Sequence, residues 1–373
     1  MTIKIQKKRI IFFLPIFGLG GASESIYKLS KFLIKKNFSI LIISIGKNHY
    51  KNNLLKLGCD VNEINSSRTL YSILKLRRIV KKEINENFSK TILISNIHYA
   101  NVISLIACRN LNGIKIILTE RSSLSELKIS TNPFMLLKNI AISLLVKCLY
   151  RHSDLIITNS KYEKNFIKEN FNVKKIKCIH PPSIYEIKKT SNKRISKLKK
   201  NKIIYVGRLS KEKGVITILK ALNNIKIKHK FVFEIYGDGE DKEKVKKFID
   251  LNRMNKIALI KGYKKNKNDI FKNAILFVNA SKFEGLPNAM VQSLNYNVYP
   301  ICSNSPGGNM EVIKFGKLGL SFNTGDSDHL KDRIEFFFKK NLLLNNKIKF
   351  KHLKKYTEKN SNYEYLKTLN SFK

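Results

Sequence analysis

Short apolar runs rich in β-branched residues alternate along this chain with longer segments of helical period. In the first half, Ile10–Leu14, Ile40–Ser44, Thr91–Ser95, Ile116–Thr119 and Leu155–Asn159 predict strands. Between them, Ala22–Lys36, Leu70–Asn85, Ala100–Asn110 and Pro133–Tyr150 predict helices. The second half repeats the scheme. Its strands are Ile203–Val206, Phe231–Tyr236, Ile257–Ile260, Ile275–Asn279, Val298–Cys302 and Leu320–Phe322, and its helices lie near Val215–Ile227, Glu240–Asn252, Asn288–Asn295 and Ser327–Phe338. Apolar strands alternating with helices predict parallel sheets covered on both faces, an α/β fold of doubly wound, Rossmann-like domains.

The alternation breaks at His180-Pro181-Pro182, and the stretch that follows, up to Lys202, is rich in Lys and Ser and poor in apolar residues. It reads as a linker. The expected organisation is a first domain over residues 1–182, a linker over 183–202, a second domain over 203–340 and a helical tail over 341–373. The length of 373 residues suits two ordinary cores, and a hydrophobic content of 43% can fill both. The two domains are expected to face each other across a cleft. The tail carries Tyr356, Tyr363, Tyr365 and Leu366 in a helical pattern, and one of its helices is expected to pack back on the first domain.

The net charge of +45 favours anionic partners, whether phosphorylated ligands, acidic membrane surfaces or nucleic acid. Most of it is lysine scattered among Ile and Asn, a pattern that compositional drift also produces. No arginine-rich run interleaved with aromatics and no standard nucleic-acid signature is present, so an anionic leaflet is preferred over nucleic acid. The five cysteines, Cys59, Cys108, Cys148, Cys178 and Cys302, are odd in number and form no C-x-x-C pair, as expected of reduced thiols in a cytosolic protein. Lys7-Lys8-Arg9 before Ile10–Phe17 has the outline of a signal peptide. The apolar run is short and ends in Gly18-Leu19-Gly20-Gly21, so a first buried strand explains it better. Pro133–Tyr150 is the longest apolar stretch, but Lys138 and Lys147 interrupt it short of a membrane span. It reads either as a helix in a membrane interface or as a core helix with two exposed lysines.

Chemistry concentrates where strands hand over to helices, because open α/β sheets bind ligands at the carboxyl ends of their strands. After Ile275–Asn279 comes Ser281-Lys282-Phe283-Glu284-Gly285-Leu286-Pro287-Asn288, leading into a helix. Glu284 can accept hydrogen bonds from hydroxyls, as sugar recognition requires. Pro287 suits a first helical turn, whose free amides can hold phosphate oxygens. Gln292 lies eight residues beyond Glu284, about two helical turns, and could reach a second polyol such as a ribose. After Ile203–Val206, Gly207 lets a ligand approach the backbone, and Arg208 and Lys213 can converge on a diphosphate. Solvated surface residues are the competing reading of that basic pair. Tyr236-Gly237-Asp238-Gly239-Glu240 reads first as a turn into a helix, and second as a backbone contact for a nucleotide.

Other motifs exclude more than they support. Gly18-Leu19-Gly20-Gly21-Ala22-Ser23 follows the first strand, but Ser23 replaces the third small residue of a dinucleotide fingerprint. The second strand ends in Ser44-Ile45-Gly46, without the ribose-binding acid, which disfavours a nicotinamide dehydrogenase. Asp326-Ser327-Asp328 reads as a helix cap rather than a metal site. No metal cluster, P-loop or G-x-S-x-G motif is found, and no cofactor is implied. Among seven dispersed histidines, His98 is the best placed to face the cleft.

The ordered set resembles the family four retaining glycosyltransferases of the GT-B fold: Gly20-Gly21-Ala22, Gly207-Arg208 with Lys213, Gly237-Asp238-Gly239, Gly262, then Glu284-Gly285-Leu286-Pro287-Asn288. The match spans roughly Ile10 to Ile334 and is strongest from Tyr205 to Ile313. The resemblance implies transfer of a sugar from a UDP- or GDP-linked donor with its anomeric configuration kept. Arg208 and Lys213 would grip the departing diphosphate without a metal, Glu284 would hold sugar hydroxyls, and Gly207, Gly237, Gly285, Leu286, Pro287 and Asn288 would surround the donor. Gln292 matches the family's second, ribose-binding glutamate, a departure that removes its charge. On the acceptor side the resemblance implies Gly20, Gly21, His98 and Thr119-Glu120-Arg121-Ser122, where Arg121 stands in the place of a usual histidine. Charge, the Pro133–Tyr150 segment and cysteine usage suggest a lipid-linked glycan acceptor at the inner membrane face, in capsule or O-antigen assembly. A nucleotide-sugar epimerase or a phosphorylase is the alternative within this fold, and a basic nucleic-acid-binding protein the alternative outside it.

Overall fold

The computed structural model describes residues 7–18, 20–66, 71–86, 88–128, 133–189, 201–227 and 229–372. The chain divides into two compact units, residues 1–180 with 361–373, and residues 181–360.

The first unit is built on strands β1 Lys8–Leu14, β2 Ser39–Ser44, β3 Asp60–Glu63, β4 Lys90–Asn96, β5 Ile114–Glu120, β6 Leu155–Thr158 and β7 Ile176–Cys178. They form one parallel sheet in the order β3-β2-β1-β4-β5-β6-β7. Its helices are α1 Gly21–Ile34, α2 Lys51–Lys56, α3 Ser72–Ile84, α4 His98–Cys108, α5 Pro133–Leu149 and α6 Lys161–Asn170. Side chains along β1 alternate between two cores. Ile11 and Phe13 pack with residues of α3, α4 and α5, whereas Ile10, Phe12 and Leu14 pack with α1 and with Tyr365 and Leu369 of the chain's last helix. Alternation across a strand buried on both faces is what makes β1 read as an unbroken apolar run.

The second unit carries β8 Asn201–Val206, β9 Phe231–Tyr236, β10 Ala258–Ile260, β11 Ala274–Asn279, β12 Tyr299–Ser303 and β13 Leu320–Phe322. The sheet is parallel, in the order β10-β9-β8-β11-β12-β13. Helices α7 Val215–Asn223, α8 Lys242–Leu251, α9 Lys267–Phe271, α10 Asn288–Asn295, α11 Asn309–Val312, α12 Ser327–Lys340 and α13 Asn346–Leu353 follow, and α14 Glu358–Asn370 ends the chain. Both sheets are thus doubly wound about a central pair, β1/β4 and β8/β11, where the winding reverses.

Several boundaries move. The second unit's first strand begins at Asn201, inside the expected linker, and Ile184 of that linker lies in the core beside Tyr356. Residues 190–200 lie outside the described residues. The tail divides, with α13 burying Leu353 in the second unit and the body of α14 belonging to the first. Lys8 Nζ reaches the carbonyls of Leu369 and Phe372 at that helix's end, at 3.4 and 3.1 Å. Sequence reading missed β3 and β7, which are short, half-exposed edge strands without an apolar run. It also missed α6, whose start is capped by Ser160: its Oγ accepts the Glu163 N–H at 3.2 Å. The cap expected at Asp326 is present, its Oδ1 accepting the His329 N–H at 2.8 Å.

Candidate functional site

β8 and β11 lie side by side at the reversal point of the second sheet, so the loops leaving their carboxyl ends diverge to opposite faces and leave a crevice between them. Lys213 closes the loop after β8, in the short 3-10 turn Lys211–Lys213, and Glu284 stands in the loop after β11. Lys213 Nζ lies 2.7 Å from Glu284 Oε1, with side chains only 18% and 14% exposed. The Lys282 N–H donates to the Glu212 carbonyl at 2.8 Å and ties the same two loops at the main chain.

Glu284 is braced from below by buried polar groups. Ser281 Oγ lies 2.7 Å from Glu284 Oε1 and 2.6 Å from Asn279 Oδ1, one hydroxyl proton serving two acceptors. Asn279, the last residue of β11, donates its amide to Asn309 Oδ1 at 3.3 Å, and Asn309 donates to the Ser303 carbonyl at 3.0 Å. The main chain is pinned as well. The Glu284 N–H donates to the Pro306 carbonyl at 3.0 Å, and the Gly308 N–H to the Gly285 carbonyl at 3.1 Å. Gly307 lies between these bonds with φ 117°, and a Cβ there would come 1.6 Å from the Glu284 carbonyl oxygen. Only glycine permits that approach. Sequence reading did not single out Ser281 in this role, Asn279, Asn309 or the Pro306-Gly307-Gly308 turn. Their signal was polar residues ending two otherwise apolar strands.

Arg208 differs from Lys213 in being open. Its side chain is 75% exposed, and its Nη2 lies 3.3 Å from Glu212 Oε1. Burial pushes the Glu212 carboxyl up, but the Ser210 hydroxyl, its own amide, Arg208 and Lys213 outweigh this and hold it below its usual value. The Arg208 carbonyl accepts the hydroxyl of buried Tyr205 at 2.6 Å, fixing the turn from which the guanidinium projects. The glycines of this corner make room for protein. Gly237 has φ 147°, and a Cβ on it would lie 1.8 Å from the Gly207 carbonyl oxygen; one on Gly207 would meet the Tyr205 hydroxyl at 2.6 Å.

Leu286 is buried, and Pro287 stands just before α10 rather than inside its first turn. Asn288 and Gln292 both engage Ser183. Asn288 Oδ1 accepts the Ser183 hydroxyl at 2.6 Å, and Gln292 Nε2 donates to the Ser183 carbonyl at 3.0 Å. The nitrogen of Gln292 is thus committed to the chain itself.

The first unit's candidates lie at the carboxyl ends of its own strands. Gly20 and Gly21 open α1, and a Cβ on Gly20 would have nothing within 4 Å. β4 turns sharply at Ile97, a β-branched residue at φ 76°, and His98 then opens α4. His98 is buried, its ring against Tyr99, and its Nδ1 lies 3.4 Å from Glu126 Oε1. Burial, aided by Lys138, pushes its imidazole down to about 4, so it is neutral at pH 7. Glu120 ends β5 fully buried, accepting the Asn101 amide at 2.8 Å and in contact with the Tyr150 hydroxyl. Burial lifts its carboxyl to about 8 despite those donors. Neither His98 nor Glu120 presents polar atoms at the surface. Arg121 is half-buried, and its Nε donates to Asn96 Oδ1 at 2.8 Å.

Two family models match, one on each unit: Glycosyltransferase Family 4 over residues 19–182 and Glycosyl transferases group 1 over residues 186–360. An uncharacterized glycosyltransferase of Methanocaldococcus jannaschii is 30% identical over 260 residues, covering 65% of this chain and 62% of that protein. The N-acetylgalactosamine-N,N'-diacetylbacillosaminyl-diphospho-undecaprenol 4-alpha-N-acetylgalactosaminyltransferase of Campylobacter jejuni is 28% identical over 223 residues, 59% of each chain. The chain thus spans about three fifths of the length of these curated relatives. In fold it is similar to Anabaena HepE, solved in complex with UDP, with a TM-score of 0.77 at 18% identity over 98% of this chain and 100% of that one. With two doubly wound parallel sheets and a glycosyltransferase model matched to each unit, the chain belongs to the glycosyltransferases of the GT-B fold.

Proposed function

We propose that this protein is a retaining glycosyltransferase that moves a sugar from a nucleoside-diphosphate donor to a lipid-linked glycan during bacterial surface-polysaccharide assembly, as capsule or lipopolysaccharide. The observation that carries the proposal is the Lys213–Glu284 pair at the adjacent carboxyl ends of β8 and β11, with Arg208 projecting from the same loop. A cation beside a hydroxyl acceptor suits a diphosphate joined to a sugar. Lys213 and Arg208 bind the diphosphate, and their charge stabilises it as the bond from the anomeric carbon to the phosphate oxygen breaks. No metal is assigned to this step. Glu284 holds sugar hydroxyls, and Gln292 faces the ribose through the atoms its bond to Ser183 leaves over.

The acceptor hydroxyl attacks from the face that the diphosphate leaves, and its proton passes to the departing phosphate oxygen. Configuration is kept, and no side chain is needed as a covalent nucleophile. Arg121 serves the acceptor side, together with Gly20 and Gly21 at the start of α1, where a Cβ on Gly20 would have nothing within 4 Å. Buried His98 and Glu120 support it. The Campylobacter relative, named for a diphospho-undecaprenol acceptor, supports a lipid-linked substrate, and HepE with UDP supports a uridine nucleotide over GDP. That relative also favours N-acetylhexosaminyl over hexosyl transfer. No helix among the described residues is long and apolar enough to cross a membrane, which suits a peripheral enzyme reaching a lipid-linked substrate at the inner face.

A thermal-shift screen against UDP-, GDP- and CMP-sugars tests the donor, since a ligand of the folded state raises apparent stability by mass action. Incubating the stabilising donor with polyprenyl-diphosphate glycans, and reading the new anomeric linkage by NMR, tests transfer and stereochemistry. Donor turned over without acceptor would identify an epimerase instead, and an inverted linkage would overturn the front-face step.

A further inference from the structure

Helix α5, Pro133–Leu149, carries apolar residues around most of its circumference yet buries Val146 and Leu149 on one side. Val146 and Leu149 pack into the first unit, while Leu137, Leu144 and Ile140 are 68%, 59% and 48% exposed. Leu137, Ala141, Leu144 and Cys148 follow at intervals of four, three and four residues, so they line one exposed stripe along the helix. A helix this apolar is normally enclosed, and a stripe like this one marks a surface that something else covers.

We propose that this stripe docks the protein on an anionic lipid surface, α5 lying in the plane of the interface. The charge pattern selects that occupant. Lys138 and Lys147 sit on opposite flanks of the stripe, about 90° to either side of it, and both are exposed. Lys138 stands 5.0 Å over the Tyr99 ring, which leaves its positive charge in place at the rim. The helix carries no acidic residue along its whole length. Two flanking lysines with an apolar stripe between them match anionic headgroups around an acyl surface. A second copy of the chain fits poorly: pairing two such helices sets lysine against lysine, with no carboxylate on either to offset them. With 17 residues the helix is about 25 Å long and lies on a bilayer rather than spanning it.

The inference deepens the reading of a lipid-linked acceptor, and its test is separable from that reading. The full chain is sedimented with phosphatidylcholine vesicles, with and without phosphatidylglycerol, in low and high salt. Wild-type protein is expected to sediment with the anionic vesicles in low salt and less in high salt. The triple change Leu137→Ser/Ile140→Ser/Leu144→Ser, at exposed positions, is expected to weaken vesicle binding more than about tenfold. Lys138→Gln/Lys147→Gln should remove the preference for phosphatidylglycerol. Both variants should keep the thermal shift given by UDP-sugar, because the donor residues lie in the other unit. Wild-type protein that ignores every vesicle in low salt, or a triple variant that binds as wild type, would overturn the proposal. So would a concentration-dependent dimer, seen by ultracentrifugation and abolished in the triple variant, without vesicle binding. An unaltered donor shift alongside any of these results leaves the enzyme reading standing. Vesicle binding without any nucleotide-sugar shift would count against the enzyme reading alone.

Discussion

Lys213 and Glu284, 71 residues apart in sequence, meet at 2.7 Å across the adjacent ends of β8 and β11. The carboxylate has a second anchor in Ser281 Oγ on the same oxygen, while the Lys213 side chain keeps 18% of its surface exposed. On the proposed reading, a diphosphate entering between these loops would compete with Glu284 for Lys213, and the sugar it carries would arrive beside the carboxylate so released.

Removing either partner should separate their roles. Lys213→Ala is expected to lower kcat by about 10²–10³-fold, the usual loss of one donor to developing charge. Glu284→Gln keeps a group that can bond Ser281 and a sugar hydroxyl, so it should raise KM more than it lowers kcat. Steady-state kinetics of both variants checks this. Rates within about twofold of wild type for both would remove the pair from the site.

The fold was legible because the strands at the centre of each sheet are buried on both faces and read as apolar runs. Lys213 and Glu284 could be found because both follow such strands. The brace beneath Glu284 could not, since Asn279, Asn309 and Ser303 come together only when β11 and β12 pair. Burial was the other hidden quantity. Nothing in Thr119-Glu120-Arg121 reveals that Glu120 faces Tyr150 inside the first unit while Arg121 turns to Asn96. Gln292 likewise reads as an acceptor of hydroxyls, and its bond to Ser183 becomes visible only in three dimensions.

That bond gives Gln292→Glu a definite outcome. A carboxylate cannot donate to the Ser183 carbonyl, and it would face that oxygen at close range. The variant should lose about 1–3 kcal/mol of stability. Gln292→Met, which leaves the carbonyl without a donor but adds no charge, should lose less. Denaturant titration of both decides it. An equal or smaller loss in Gln292→Glu would mean that the side chain turns away and that its ribose role can be restored by charge.

Gly307→Ala tests the brace at the main chain. The added methyl meets the Glu284 carbonyl oxygen at 1.6 Å, and φ of 117° is unfavourable to any residue with a Cβ. The loop must move, displacing Glu284, so activity should fall together with a stability loss of roughly 2–4 kcal/mol. Gly20→Ala is the control, because nothing lies within 4 Å of its added methyl. It should leave the melting temperature within a degree or so, about 0.5 kcal/mol for a surface change. Similar melting temperatures for the two variants would show that the Gly307 contact relaxes at no cost.

Glu120 makes the stability of the first unit depend on pH. Its carboxyl is lifted from 4.5 to about 8, chiefly by burial, so the folded state holds a proton that the unfolded chain releases. A raised folded value contributes stability that is fully present below the unfolded value and is lost as pH rises through the folded one. The loss therefore runs from near pH 4.5 to near pH 8, approaching roughly 1.4 kcal/mol for each pH unit inside that window. Glu163, lifted to about 7 by burial, adds a loss of the same sign. Glu120→Gln keeps an acceptor for Asn101 and Tyr150 and carries no ionisable proton. Its stability relative to wild type should rise steadily as the buffer goes from about pH 5 to about pH 8, with Glu163 titrating in both proteins. Urea unfolding of the two proteins at several pH values, read as a difference, checks it. A difference that stays flat would mean that Glu120 ionises in the fold as readily as in the unfolded chain, and that Tyr150 and Asn101 fully offset its burial.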